Sequence, residues 1–234
     1  MTRYFRGFFA LATGLLLLTS CAKLPGGGGS SDFTKRLVFT MTVDEKIRTN
    51  LEGFPYIYIF ALRLSTDSNP IDDGPLPVVI PGGNGFVAGN CTHYILWNPL
   101  VFPEYQIFKF LDPELNQSVQ TGIPINYVQI KEGDNTLQFE IDMSQLVPAG
   151  DVDTIKSIQV NFLTMNNTNT GGGDRFWDAL GDGRIQGEIN SYFTFQLDFA
   201  DLYTNQNTGD IEPPGDVVDP DLDIIDWSIE VRLP

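Results

Sequence analysis

Side chains that alternate between apolar and polar at every step dominate the chain from residue 36 onward. This period-two rhythm constrains the fold more than any other feature. In RLVFTMTV, Leu37, Phe39, Met41 and Val43 share one face, and Thr40 and Thr42 the other. Successive side chains of an extended strand point to opposite faces, so such a run suits a strand with one buried side. The rhythm returns in THYILW, EYQIFKFL, INYVQIK and NTLQFEIDM, and again in SIQVNFLTM, SYFTFQLDF and the final Ile225–Leu233 run. In SYFTFQLDF it assigns Phe193, Phe195, Leu197 and Phe199 to the buried side. PYIYIFALRLS is apolar on both faces, which predicts a central strand covered on both sides.

Turn clusters separate these runs: DSNPIDDGP, PGGNG, KEGDN, NNTNTGGGD and GDGR. One short helical step is expected at Met143–Leu146, capped by Asp142 or Ser144. Together these features predict an all-β antiparallel β-sandwich of about nine to eleven strands with one short helix. No fixed-period repeat or linker divides residues 33–234, so they are expected to form a single domain. The acidic run DIEPPGDVVDPDLDIID, Asp210–Asp226, contains three prolines and is expected to be an exposed loop before the last strand.

The first twenty residues follow a different logic. Arg3 and Arg6 precede an uncharged apolar run, Phe8–Leu18, which is short for a bilayer span and leads through small residues to Cys21. This is the layout of a secretory signal peptide, residues 1–20. Leu18-Thr19-Ser20-Cys21 resembles a bacterial lipobox. That resemblance implies cleavage before Cys21, lipidation of its thiol and acylation of the new amino group. Residues 21–32, with Gly26–Gly29, Ser30 and Ser31, then read as a flexible tether. The expected location is the bacterial cell envelope, at the outer membrane or cell surface in preference to the inner membrane, because no Asp follows Cys21.

Charge narrows the partners. The chain has 14 basic and 30 acidic side chains, a net charge of −16, and losing Arg3 and Arg6 would make it two charges more acidic. Nucleic acid, which requires a basic footprint, is excluded as an expected partner. Attraction to anionic headgroups is excluded likewise, leaving the lipid as the membrane contact. Of the two cysteines, a lipidated Cys21 would leave Cys91 without a partner, so stability must come from the core rather than a disulfide.

Two segments resemble parts of the DOMON-like and family-nine carbohydrate-binding-module sandwiches. They are YIYIFALRLSTDSNPIDDGP, and FEIDMSQL followed by IKSIQVNFLTMN. PGGNGFVAGNCTHYILWNP is also similar to bacterial envelope lipoproteins. The sandwich resemblance implies binding of sugars on paired aromatic side chains, for which Trp97 and Trp177 are candidates. In some members it implies haem held by histidine and methionine, here His93 with Met143 or Met165.

Four places bear chemistry. Cys91 and the single His93 are two apart, so on a strand they would share a face and a thiol–imidazole pair is conceivable. The plainer reading is a small buried thiol and a half-exposed imidazole in a glycine-rich loop feeding a strand. Asp67, Asn69, Asp72 and Asp73 gather oxygens in one turn, as calcium requires. Asp216, Asp219, Asp221 and Asp223 do the same in the tail. At both, a solvated acidic loop is the plainer reading. In GGGDRFWDALGDGR, Phe176 and Trp177 stand beside Arg175 and Asp178, a pattern suited to stacking on a sugar face while bonding its hydroxyls. The competing reading folds Phe176, Trp177 and Leu180 back as an apolar plug. No Ser-His-Asp order, HExxH or CxxC is present, so no enzyme is expected. The expectation is a non-catalytic ligand-binding module for carbohydrate or another small envelope ligand. Assembly with another envelope protein is the alternative, and a glycoside hydrolase a more distant one.

Overall fold

The computed structural model describes residues 34–49, 56–77, 85–166, 176–185 and 191–234. Two antiparallel sheets face one another. The first has the order β13 (Asp201–Thr204), β14 (Ile224–Arg232), β1 (Arg36–Val43), β9 (Thr136–Asp142) and β8 (Asn126–Tyr127). The second runs β11 (Trp177–Ala179), β10 (Ser157–Asn166), β2 (Tyr56–Ser65), β5 (His93–Trp97), β6 (Tyr105–Phe110) and β7 (Ser118–Gly122). β12 (Phe193–Gln196) also pairs with β10, and β3 (Pro75–Pro77) pairs with β4 (Val87–Gly89).

The alternating runs fill the space between the sheets. Phe39 on β1 lies opposite Ile229 on one neighbour and Phe139 on the other, so one register places all three inward. From the second sheet, Phe60 meets Phe139 edge-on at 4.6 Å, and Phe162 stacks on Trp227 at 5.5 Å. Each fully buried side chain of this size contributes about 1.5–3 kcal/mol relative to exposure. Trp97 belongs to this core. It is 1 % exposed and meets Tyr58 edge-on at 5.5 Å.

β2 is apolar on both faces, and β10 at its C-terminal half, because a second cluster covers the outside of their sheet. Ile57, Ile59, Ala61, Leu163 and Met165 pack there with Val87 of β4, Tyr94, Phe110 and Ala179. Asp142 caps the helical step as expected, a 3₁₀ turn at Met143–Gln145. Its carboxylate accepts from the Ser144 N–H at 2.9 Å, and its own N–H donates to Gln145 Oε1 at 3.1 Å. Further 3₁₀ turns lie at Ala149–Thr154 and Gln206–Thr208.

The architecture is the expected all-β sandwich, with differences in detail. The described residues contain fourteen strands rather than nine to eleven. INYVQIK contributes only Asn126–Tyr127, and SYFTFQLDF only Phe193–Gln196. Phe199, beyond the paired segment, is 65 % exposed rather than buried. The largest departure is the acidic run from Asp210. Glu212, Asp221, Leu222, Asp223 and Ile224 are all buried. Leu222 and Ile224 join the inner core, with Ile211 and Val217 packed against it, and they carry the neighbouring carboxylates inside.

Candidate functional site

β10 offers one outer edge, and two short strands divide it. β12 pairs with Ser157–Val160 and β11 with Leu163–Met165. The chain leaves the sheet between them, where Asn161 closes the gap. Its Oδ1 accepts from the Leu180 N–H, and its Nδ2 donates to the Pro75 carbonyl, both at 3.1 Å. The segment between β13 and β14 lies against this end of the sandwich. Thr164 Oγ1 donates to the Leu222 carbonyl, and the Ile224 N–H donates to Asp178 Oδ2 at 2.7 Å. Asp178 thus ties the edge of one sheet to the start of β14 in the other.

A cleft of about 760 Å³ opens beside this junction. Phe176, Trp177 and Asp178 line one side, with Tyr56 and Gly183. The run Asp216–Pro220 lines the other. The Phe176 main chain is held at both ends: its N–H donates to Asn166 Oδ1 at 2.9 Å, and its carbonyl accepts from the Asn166 N–H at 3.0 Å. Its ring is 57 % exposed, while Trp177 is half-buried against the outer cluster. Leu180 is fully buried in the inner core. Of the three residues proposed as a plug, only Leu180 is one.

The Asp219 end of the cleft is braced by an ion-pair network. Tyr56 hydrogen-bonds Asp219, and the Arg48 guanidinium lies over the Tyr56 ring at 3.9 Å. Arg48 also donates through Nε to Asp221 at 2.6 Å and through Nη2 to Asp219 at 3.4 Å. Burial, with the Asp219 carboxylate next in weight, pushes the Tyr56 hydroxyl up to about 12, so it stays protonated and donating.

Beneath the opposite end lie four acidic side chains: Asp178, Glu212, Asp216 and Asp223. Each is held by main-chain N–H groups. Asp178 accepts from Ala179 and Ile224, Glu212 from Gly181, Asp216 from Gly183 and Asp223 from Gly215. The close approach of Gly183 depends on its lacking a side chain, since a Cβ there would meet Asp216 Oδ2 at 2.9 Å. Gly215 has φ +77°, in the left-handed region that favours glycine. Burial, and then the neighbouring Asp216, push Asp178 well above the usual carboxylate range. Burial, and then Asp178, push Glu212 up to about 11. Burial and the adjoining Asp216 carboxyl push Asp223 up to about 6.

The structure joins some of the residues singled out in the sequence and scatters others. Phe176, Trp177 and Asp178 meet Asp216 and Asp219 of the tail in one cleft. Trp97 has no surface to offer a ligand, because its position on β5 puts it on the inner face with Ile95. Arg175, Cys21 and the tether at 21–32 lie outside the described residues. Asp67, Asn69, Asp72 and Asp73 are exposed. Two of these carboxylates close their own loop: Asp67 Oδ1 accepts from the Asn69 N–H at 3.0 Å, and Asp72 pairs with Arg63 at 2.8 Å.

Cys91 and His93 do not form a reactive pair. The thiol sits in the outer cluster, where it donates to the Leu62 and His93 carbonyls. His93 lies across from Leu62 of the inner core and is 3 % exposed, not half-exposed as expected. Burial pushes the thiol up to about 12 and, with Lys109 opposite, the imidazole down to about 4. Met143 is buried in the inner cluster and Met165 in the outer one, on opposite faces of the second sheet.

Glu212 had no sequence reading of its own. The available signal was the spacing of Ile211, Val217, Leu222 and Ile224 through the acidic run, which marks a segment with a side to bury. No family model, characterised protein or solved structure matches this chain, so its functional reading rests on the geometry of this cleft.

Proposed function

We propose that this chain is an exported, lipid-anchored protein of the bacterial envelope whose sandwich domain binds a small carbohydrate ligand without catalysing a reaction. The cleft beside Trp177 is the observation that carries this reading. It combines a half-buried indole and an exposed phenyl ring with the carboxylates of Asp216 and Asp219. Aromatic rings stack on the apolar face of a sugar, and carboxylates accept from its hydroxyls. A non-catalytic role accords with a protonated thiol at Cys91 and a neutral imidazole at His93. It accords also with Asp178, whose two oxygens both accept from main-chain N–H groups. The lipid anchor is supported by the Leu18–Cys21 sequence alone.

The test is a glycan array followed by calorimetry with the best ligand. Trp177→Ala is expected to weaken binding roughly tenfold or more while the thermal midpoint stays within a few degrees of the parent. Binding that survives the substitution, or an array with no hits, ends the reading.

Assembly with another envelope protein is a second reading, favoured by exposed apolar side chains on neighbouring segments. Val119, Ile123, Ile125, Tyr127 and Val128 are each between 37 and 46 % exposed. Cross-linking in intact cells distinguishes the two, since Ile123→Lys with Ile125→Lys would abolish an adduct only if this face is covered.

A further inference from the structure

We propose that Asp178, Asp216 and Asp223, with Glu212 beside them, bind one calcium ion. The three aspartates each present an oxygen, and these oxygens lie within 4.8 Å of one another. Calcium–oxygen bonds are about 2.4 Å long, so two ligands on opposite sides of one ion stand about 4.8 Å apart. The three carboxylates are therefore close enough to share a single ion.

Glu212 supplies an independent observation. It lies outside that triad, is 0 % exposed, and its Oε1 has no hydrogen-bond partner among the described residues. It feels all three aspartates. Leaving a buried polar atom unpaired costs about 1–3 kcal/mol, and more for a charged group. Asp216 Oδ1 and Asp223 Oδ1 likewise find no donor among the described residues, although the two carboxyls lie close enough to share one proton. In these three residues one oxygen is fixed by a glycine N–H, from Gly181, Gly183 or Gly215, and the other is left free. The main chain thus orients three carboxylates while leaving one oxygen of each uncommitted.

Among the described residues, no side chain supplies the missing positive charge. Arg184 is the guanidinium that senses Asp216 and Asp223, but it is exposed and forked onto Asp182 at 2.8 and 2.9 Å. Arg48 is committed to Asp219 and Asp221. Within the described residues, the remaining choices are protons on several buried carboxyls or one multivalent cation.

The donor set selects the ion. It is all oxygen, with no imidazole or thiolate, which disfavours zinc. Magnesium prefers a regular octahedron and retains several waters, whereas calcium accepts a crowded, irregular set of carboxylates. This site is distinct from the Asp67–Asp73 turn, and it stands whether or not the cleft binds a sugar.

The full chain is stripped with chelator and titrated with calcium by flow dialysis. In parallel, terbium luminescence is excited through Trp177, the chain neighbour of Asp178. One calcium per chain is expected, with the thermal midpoint raised by about 5 °C or more at saturation. Terbium emission should appear and be displaced by calcium. Asp216→Asn and Asp223→Asn should each weaken binding roughly tenfold or more, and Asp72→Asn should leave it unchanged. Glu212→Gln separates the alternatives, because it preserves shape: it weakens calcium binding if an ion is held, and is silent if the cluster is simply protonated. The proposal is overturned if native protein takes up no calcium at millimolar concentration. It is also overturned if uptake survives Asp216→Asn and Asp223→Asn, or is lost in Asp72→Asn. A glycan array without hits would leave each of these results standing.

Discussion

Asn205 grips the main chain of Glu212 at both polar atoms. Its Nδ2 donates to the Glu212 carbonyl at 2.7 Å, and its Oδ1 accepts from the Glu212 N–H at 3.0 Å. Both residues are buried, so neither bond can be replaced by water without opening the segment. Asn205 follows β13 directly and therefore fixes the course of the acidic run from the end of a paired strand.

Asn205→Ala leaves a buried N–H and a buried carbonyl unpaired. We expect a loss of about 2–4 kcal/mol in unfolding free energy, measured by urea denaturation. Asn205→Asp keeps the acceptor but loses the donor and adds a charge beside the acidic cluster, so it is expected to be at least as damaging. A loss below about 0.5 kcal/mol for Asn205→Ala would show that the segment is held elsewhere.

His93 gives the fold a pH dependence of definite sign. Its folded-state value of about 4 lies below the ordinary 6.5, because burial and Lys109 disfavour the charged ring. Between these values the unfolded chain binds a proton that the native imidazole refuses. Stability therefore falls as pH drops from 6.5 toward 4, by about 3 kcal/mol at most from this residue. Carboxylates titrate in the same window, so the measurement is a difference. The midpoint of a His93→Phe variant should decline less steeply with acid than that of the parent. Parallel pH profiles would refute the assignment.

Cys91 should be chemically silent in the native protein. With the thiol pushed up to about 12, only about one part in ten thousand is thiolate at pH 8. In a Cys21→Ser variant, a disulfide reagent should find no fast-reacting thiol in buffer and one in guanidinium. Rapid labelling in buffer would mean that the outer cluster opens readily around β4.

The anchor is tested separately. Cys21→Ala is expected to move the protein from the membrane to the soluble fraction and to abolish incorporation of labelled fatty acid. A wild-type protein of unprocessed mass carrying no acyl groups would remove the envelope reading.

The sandwich was legible because each long strand announces its buried face. β1, β9, β10 and β14 read directly from alternation, and the two-sided apolarity of β2 anticipated its second cover. The strands that escaped notice, β3, β4, β7, β11 and β13, are three to five residues long. A period of two cannot be distinguished over so few positions, and the Pro75-Leu76-Pro77 strand carries the residues that usually end one. Trp97 was misread for another reason. Aromatic side chains suit both a binding platform and a core, and only its shared face with Ile95 favoured the core. The acidic run shows the deepest limit. Asp and Glu are almost always solvated, so a run of them reads as loop, and the sparse spacing of Ile211, Val217, Leu222 and Ile224 marks a side to bury without revealing that it is anchored between two sheets. Half of the cleft, Phe176 to Asp178, was visible as an unusual segment. The tail that completes it joins it only through the fold.

The divided margin of β10 has a consequence for variation. Because β11 and β12 each pair with their own portion of that strand, the excursion joining them can gain or lose residues without shifting either register. Gly183, on that excursion, borders the cleft, so this part of its rim can vary in length while the sandwich behind it keeps its shape.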